Sequence, residues 1–140
     1  MSGSSSRRTA AVARRRKGHE FQPSTARALR RLNDTTRSAE QLVGWLRPDL
    51  PWVVIGDLNA TPGEEAIRCL EEAGLRMAVP DGLGGTTHRW KGGTGGRRID
   101  YVFVSDAWEV VDGGVDHSRP GGRLPSDHWP IWADVRLGSP

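Results

Sequence analysis

The spacing of apolar positions changes several times after residue 23, and each change predicts a different element. From Ser24 to Leu46 the apolar residues recur at helical spacing, interrupted by the polar letters NDTT, so one long helix or two shorter ones fit. Pro48 ends this pattern. The run WVVIG, residues 52–56, is short, continuous and β-branched, which is typical of a strand that is buried on both faces.

The segment TPGEEAIRCLEEAG predicts a second helix with clear signals at both ends. Thr61 is a favourable N-cap residue, Pro62 suits the first helical position, and Glu64 completes a capping box. Gly74 follows the last turn, where a helix commonly ends. Cys69 falls on the apolar face of this helix, which favours a place in the core over a role as a nucleophile.

The remaining apolar runs are short and bounded by glycine, which predicts strands and turns. TTHRW, residues 86–90, precedes a Gly-rich turn and the run IDYVFV, residues 99–104, and this spacing indicates a hairpin. WEVVDGGV and WPIWADVRL indicate two further strands with alternating apolar residues.

Composition limits the number of domains and the compartment. A chain of 140 residues is long enough for one domain with one core, and 18 Gly and 9 Pro predict many turns. The single cysteine excludes an internal disulfide framework and permits a reducing compartment. The sequence shows no secretory signal pattern and no apolar run long enough for a membrane span, so we expect a cytoplasmic location.

Charge is distributed unevenly along the chain. The net charge is +3, yet residues 1–31 hold nine of the 20 Lys and Arg and one of the 17 acidic residues. We expect residues 1–22 to form a basic, disordered segment and residues 23–140 to form the folded domain. Such a segment is either simply solvated, or a contact for nucleic acid or an anionic surface, and its composition also suits an organellar transit peptide.

The segment VIGDLNATP places an acid and an amide at the end of an apolar run. In an extended chain residues i and i+2 point to the same side, so Asp57 and Asn59 would project together from the strand end. A carboxylate can orient or deprotonate water, and an amide can donate to a phosphoryl oxygen. A turn that only caps the strand fits the same residues.

Two later stretches supply further acids and an imidazole. Asp100 lies within the apolar run of RRIDYVF, where a carboxylate is unfavourable without a donor or a cation. In LPSDHWPIW, Asp127 and His128 precede another apolar run. An aspartate that hydrogen-bonds a histidine fixes its tautomer and raises its basicity, so Asp100 and His128 would form an acid/base pair if their strands are adjacent.

The blocks GDLNATP, RRIDYVFVS and PSDHWPI, in this order, resemble the metal-dependent endonuclease/exonuclease/phosphatase superfamily, which includes deoxyribonucleases, abasic-site endonucleases, sphingomyelinases and inositol polyphosphate phosphatases. The resemblance implies an α/β fold, a partial four-layer α/β sandwich, because the chain matches only the second of two similar halves. WVVIG, IDYVF and WPIWADV would then be neighbouring strands. The principal metal ligand of the family, a glutamate, belongs to the first half, and His19 in KGHEFQPSTAR is a candidate remnant of a catalytic histidine.

The resemblance also implies roles for individual residues. Asp57 would orient or activate the attacking water, and Asn59 would contact the scissile phosphate. Asp100 would hold His128, which contacts a phosphoryl oxygen or acts as the general acid/base. Asp127 would lie on the side of the metal ion, Mg²⁺ or Mn²⁺. Thr86, Thr87 and His88 resemble the stretch that lines the substrate side in relatives, and a hairpin edge with a solvent-facing histidine fits them as well. Apart from the resemblance, Arg98 is expected either to neutralise substrate phosphate or to be an ordinary exposed arginine.

Two classes of function follow, and both stay open. The first is a metal-dependent phosphoesterase that acts on nucleic acid, phospholipid or sugar phosphate, with a partner chain or the N-terminal segment completing the site. The second is a non-catalytic remnant that binds phosphorylated ligands, or nucleic acid through its basic segment. Because half a sandwich leaves apolar surface and strand edges uncovered, we also expect association through the exposed sheet.

Overall fold

The protein combines two helices with five strands over the residues that the structure, a computed structural model, describes, which are 23–138. The basic segment 1–22 and His19 lie outside these residues. The α/β class is as predicted, and α1 is one continuous helix rather than two. The elements in chain order are α1 Pro23–Trp45, β1 Val53–Asp57, α2 Glu65–Glu72, β2 Arg76–Met77, β3 Asp100–Val104, β4 Trp108–Val115, a 3₁₀ turn Pro120–Gly122, and β5 Ile131–Leu137.

The strands form two antiparallel sheets. The first has the order β1-β3-β2, and the second pairs β4 with β5. WVVIG and IDYVF are therefore neighbours as predicted, but the prediction that WPIWADV lies beside them is wrong. Alternation identifies a strand without identifying its partner, and β5 pairs along its whole length with the preceding strand in the chain.

The predicted hairpin between residues 86–90 and 99–104 is also wrong. Both edges of β3 are taken, by β1 and by β2. The segment at Thr87 instead forms an isolated bridge with His128. This arrangement matters for the site, because it connects the Gly-rich loop directly to the segment that carries the predicted catalytic histidine.

The core lies on both faces of β3, whose side chains alternate between two clusters. Tyr101 and Phe103 pack under the two helices together with Ile67 and Leu70. On the opposite face, the buried residues Val102 and Val104 meet Ala78, Val79 and the inner side chains of β4 and β5. The order of layers is therefore helices, three-stranded sheet and two-stranded sheet.

Strand β1 is more exposed than its sequence predicts. Val53 is 41% exposed and Ile55 is 66% exposed, so the strand is not buried on both faces. These side chains share a face with Val102 and Val104, their partners in the register, but the β4–β5 sheet covers β3 and stops short of β1. A continuous β-branched run indicates a strand whose side chains favour burial. It does not show which part of the protein covers them.

Helix α2 begins later than predicted. Its N-cap is Glu64, without a side-chain capping bond, because Gly63 at φ +83° interrupts the helical backbone. Thr61 closes a turn instead: its hydroxyl donates to the Glu64 carboxylate at 2.7 Å, and its carbonyl accepts the Glu64 N–H at 3.0 Å. The predicted end is confirmed, since Gly74 at φ +86° follows the helix. Neither described helix combines the length and apolar character needed to cross a bilayer.

Candidate active site

The loop after β1 is fixed by backbone contacts to β3. The N–H of Leu58 donates to the Ile99 carbonyl at 2.8 Å, and the Tyr101 hydroxyl donates to the Ala60 carbonyl at 2.9 Å. Between these contacts Asn59 adopts φ +52°, which takes it out of the extended conformation. The assumption that residues 57 and 59 project together as in a strand therefore fails.

Asp57 and Asn59 are nevertheless coupled through a tight turn. The N–H of Asn59 donates to Oδ1 of Asp57 at 2.8 Å, and this contact orients the carboxylate. Asn is one of the few residue types that tolerate a positive φ, which explains its place here. The turn-forming interpretation of these residues is thus correct, and it is compatible with a chemical role because both side chains are exposed.

Asp57 and Asp100 lie directly opposite each other at the ends of β1 and β3. Two carboxylates in such a cross-strand pair repel each other, which destabilises an ordinary sheet. The repulsion is relieved by a positive charge, either a cation or a protonated imidazole.

Asp100 holds His128 through a close contact. Nδ1 of His128 lies 2.9 Å and 3.1 Å from the two carboxylate oxygens. Because a carboxylate can only accept, Nδ1 carries the proton and Nε2 is left for acid/base chemistry. The two side chains are 15% and 29% exposed, so the pair is sheltered but reachable. The sequence-based expectation of this juxtaposition agrees with the structure, although β3 and β5 belong to different sheets.

The acidic surroundings shift the pKa of His128 upward. Partial burial acts to lower it, but the hydrogen bond to Asp100 and the charges of Asp100, Asp57 and Asp127 outweigh that effect. The imidazolium is therefore favoured at higher pH than in an isolated histidine.

Thr86, which the sequence grouped with Thr87 and His88 as part of a substrate-lining stretch, has a structural position instead. It is fully buried, and its hydroxyl oxygen accepts the N–H groups of Ile99 and Asp100, each at 3.1 Å. Its carbonyl oxygen accepts the N–H of Trp129 at 2.7 Å. Thr86 thus ties the strand of Asp100 to the segment of His128. No pattern in the sequence separates Thr86 from Thr87, because only the three-dimensional register shows which hydroxyl faces Asp100.

The three predicted substrate contacts occupy different environments. Thr87 accepts the Arg97 N–H at 3.0 Å through its hydroxyl and bridges His128 through its backbone. His88 is buried with its ring 4.3 Å from that of Trp129, measured between centroids.

Arg98 points away from the acid/base pair. Its guanidinium pairs with Asp81 at 2.6 Å and donates to the carbonyl oxygens of Val79 and Pro80 at 2.5 Å and 3.0 Å. These contacts hold the loop after β2 in place. The geometry therefore favours a structural role for Arg98 over a contact with substrate.

Comparison with known proteins identifies the family of this chain. Residues 7–128 match the Endonuclease/Exonuclease/phosphatase family. The chain belongs to this family. Comparison with curated proteins gives no significant match.

Solved structures of the endonuclease/exonuclease/phosphatase type share the fold. A mannosyl-6-phosphatase from Bacteroides thetaiotaomicron is 24% identical with a TM-score of 0.61, over 76% of this chain and 46% of its own. A family protein from Bacteroides vulgatus is 24% identical with a TM-score of 0.65, over 76% and 45%. One from Beutenbergia cavernae is 27% identical with a TM-score of 0.58, over 76% and 32%. The chain thus spans less than half the length of these relatives.

The endonuclease/exonuclease/phosphatase resemblance implies a divalent ion, and the residues at the strand ends fit one. Asp57, Asp100 and His128 can each offer one ligand atom, and these atoms lie within 4.8 Å of one another. Mg²⁺ and Mn²⁺ prefer oxygen ligands, and Mg²⁺ is commonly held by one or two carboxylates together with substrate phosphate. Asp57 and Asp100 supply two such carboxylates.

Asp127, the residue predicted to face the metal, is not a member of this group. Asp127 lies in a bend rather than in a strand, and its charge contributes to the raised pKa of His128. The backbone carbonyl of Asp127 instead accepts the N–H groups of His88 and Arg89 at 2.9 Å and 3.3 Å. The carboxylates in the metal-capable group are those of Asp57 and Asp100, and a contact of Asp127 with the metal stays a prediction.

A cavity of about 440 Å³ opens beside the loop after β1. Asp57 and Asn59 lie on one side of it, and apolar residues of the two helices, including Leu42 and Leu70, lie on the other. Arg31 adds a cation to the wall. The site is thus adjacent to space that can receive part of a substrate.

Proposed function

We propose that this chain supplies the water-orienting and acid/base groups of a divalent-metal-dependent phosphoesterase, of the phosphodiesterase or nuclease type. The observation that carries the proposal is the Asp100–His128 pair, at 2.9 Å, beside the opposed carboxylate of Asp57. This combination of an oriented imidazole and two acids matches the chemistry of in-line phosphate ester hydrolysis.

Each group has a defined task in this reaction. Asp57 orients the attacking water and accepts its proton, while the amide of Asn59 donates to a phosphoryl oxygen. Asp100 keeps the proton of His128 on Nδ1, and the protonated Nε2 donates to a phosphoryl oxygen or to the leaving oxygen. Asp57 and Asp100 would hold the divalent ion, which when bound stabilises the negative charge that develops on the phosphoryl group.

The substrate class is a phosphate ester, from nucleic acid, phospholipid or sugar phosphate. The similarity to a mannosyl-6-phosphatase supports including sugar phosphates. Proteins of one fold share this chemistry while their loops select the substrate. The cytoplasmic location and the contact of the basic segment with nucleic acid stay predictions.

A second candidate function is a phosphate-binding module without catalysis. It is favoured by the composition of the metal-capable group, in which both oxygens of Asp100 already contact His128 and Asp57 is the only other carboxylate. Because Mg²⁺ is bound weakly by so few acids, we expect the chain alone to turn over substrate slowly.

The test measures metal binding and hydrolysis separately. Mn²⁺ binding is followed by calorimetry, and hydrolysis by release of nitrophenol from bis-p-nitrophenyl phosphate and p-nitrophenyl phosphate. We expect Asp57→Asn to weaken Mn²⁺ binding, whereas Asp106→Asn, at the far end of β3, leaves it unchanged. His128→Ala should reduce hydrolysis by at least ~10²-fold, the usual effect of losing a positioned acid/base group.

The outcomes separate the two functions. His117→Ala should leave hydrolysis within a few-fold, because its ring packs edge-on against Trp129 at 5.2 Å and does not join the acid/base pair. Mn²⁺ binding without any hydrolysis that depends on His128 would favour the non-catalytic module. Hydrolysis that depends equally on His117 would show that the wrong histidine has been assigned.

A further inference from the structure

A second cavity, of about 390 Å³, lies beside the Gly-rich turn and has a cationic wall. Arg89, Lys91 and Arg97 line it, and its wall contains no acidic residue. Within residues 23–138 neither Arg89 nor Lys91 has an ion-pair partner, and Arg97 reaches Glu64 only at 3.6 Å. Positive charge that is not neutralised by the protein attracts an anion.

His88 provides a buried donor in the same wall. It is 6% exposed, and its Nδ1 accepts the N–H of Gly92 at 3.2 Å, so in the neutral imidazole the proton resides on Nε2. Nε2 is buried and has no hydrogen-bond partner among the described residues. A buried donor without an acceptor is unfavourable, and a ligand oxygen in the cavity would satisfy it.

The glycines of the turn shape the cavity. A Cβ atom on Gly96 would lie 1.6 Å from the carbonyl oxygen of Thr87, so only glycine lets the turn approach this closely. Gly93 and Gly95 also line the cavity, but a Cβ atom on either would meet nothing within 4 Å. The turn therefore leaves open space beside Gly93 and Gly95, where a ligand can approach the chain.

The cavity is connected to the proposed active site through two short backbone contacts. Thr87 bridges His128, and the N–H of His88 donates to the Asp127 carbonyl at 2.9 Å. Residues of the cavity wall are thus the direct neighbours of the acid/base histidine. The wall of the cavity is therefore continuous with the segment that carries His128.

We propose that this cavity is a second phosphate subsite, which binds a non-reacting phosphate group of a substrate that carries more than one. The role beside the reacting phosphate rests on the proposed function, whereas anion binding by the cavity does not. An oligonucleotide and a sugar bisphosphate share the required chemistry, two phosphate groups on one molecule. Arg89 and Lys91 supply the charge, and Nε2 of His88 supplies a neutral donor.

The first test measures binding without metal. Calorimetry with inorganic phosphate compares the unmodified chain with Gly95→Glu, which places a carboxylate in the cavity, and Gly95→Gln, which fills the same volume without charge. Gly95 does not have a positive φ, and a Cβ atom there meets nothing within 4 Å, so the backbone accepts either side chain. We expect Gly95→Glu and Lys91→Gln to weaken phosphate binding by at least ~10-fold, while Asp106→Asn, in the turn after β3, leaves it unchanged. A ¹⁵N-resolved spectrum should show a shift of the His88 Nε2–H signal when phosphate is added.

The second test asks whether the subsite serves a larger substrate. Fructose 1,6-bisphosphate and a trinucleotide are compared with fructose 6-phosphate, and a larger effect of Gly95→Glu on either of the first two identifies which source of phosphate is used. Phosphate affinity that is equal in Gly95→Glu and Gly95→Gln, with no shift at His88, would overturn the proposal. Phosphate binding that persists while all hydrolysis is absent would reject the proposed phosphoesterase function and retain the anion site.

Discussion

The hydroxyl oxygen of Thr86 accepts the backbone N–H of Asp100 at 3.1 Å, inside a fully buried environment. The same residue accepts the N–H of Trp129 through its carbonyl. One side chain and its own backbone therefore set the distance between the two segments that carry the acid/base pair. Thr86 is a positioning residue, since it contacts neither a metal-capable atom nor the imidazole.

Replacing Thr86 by Val should damage both stability and geometry. The variant keeps the shape but leaves the N–H groups of Ile99 and Asp100 without an acceptor, which costs about 1–3 kcal/mol. Urea denaturation measures the loss, and Thr86→Ser should recover most of it. A misplaced Asp100 should also lower the pKa of His128 in an NMR titration. An unchanged His128 pKa in the folded Val variant would limit Thr86 to a purely structural role.

The pKa of His128 should respond directly to Asp100. In metal-free protein, NMR titration should place it above the ordinary value of 6.5, and Asp100→Asn should lower it, because the burial remains while the hydrogen bond and the charge are lost. The raised pKa means that this interaction stabilises the fold fully below pH 6.5 and is lost as the pH rises through the folded-state value. The stability difference between the two proteins should shrink over that window. A difference that grows with pH would contradict the assignment of the charged pair.

Removing the charge of Asp57 should have opposite effects without and with metal. In EDTA, Asp57→Asn should stabilise the protein by about 0.2–1 kcal/mol, because it ends the repulsion with Asp100 while keeping an oxygen for the Asn59 N–H. With Mn²⁺ present, the variant should lose the stabilisation that ion binding gives the unmodified chain. Thermal unfolding of both proteins, measured once in EDTA and once in Mn²⁺, gives the two effects. Equal stabilisation by Mn²⁺ in both proteins would place the ion elsewhere.

The exposed face of β1 should promote self-association. Ile55 is 66% exposed on an edge strand, and Ile55→Lys adds a charge that opposes pairing of that edge. Light scattering after size-exclusion chromatography should show a lower mean mass for this variant. Val111→Lys, which adds the same charge to β4 in the other sheet, serves as the control. If only the control reduces the mass, the associating surface is the two-stranded sheet.

The sequence predicted the fold class and one side-chain contact, but not the pairing of every strand. Asp100 and His128 could be paired in advance because a carboxylate in an apolar strand demands a partner, and an imidazole at a strand entrance offers one. The ion pair between Arg98 and Asp81 could not be predicted, because it depends on how two segments that are distant in sequence pack together. The pairing of β5 with β4 could not be predicted either. Alternation is a property of one segment, whereas pairing depends on the position of a second strand.

Strand β1 ends at Asp57, and its outer edge has no partner strand among residues 23–138. If another polypeptide paired with this edge and thereby held the backbone of Asp57 in place, edge pairing and Mn²⁺ binding would be thermodynamically linked, and each would raise the affinity of the other by the same factor. The apparent dissociation constant for Mn²⁺ would then fall as the concentration of the pairing chain rises.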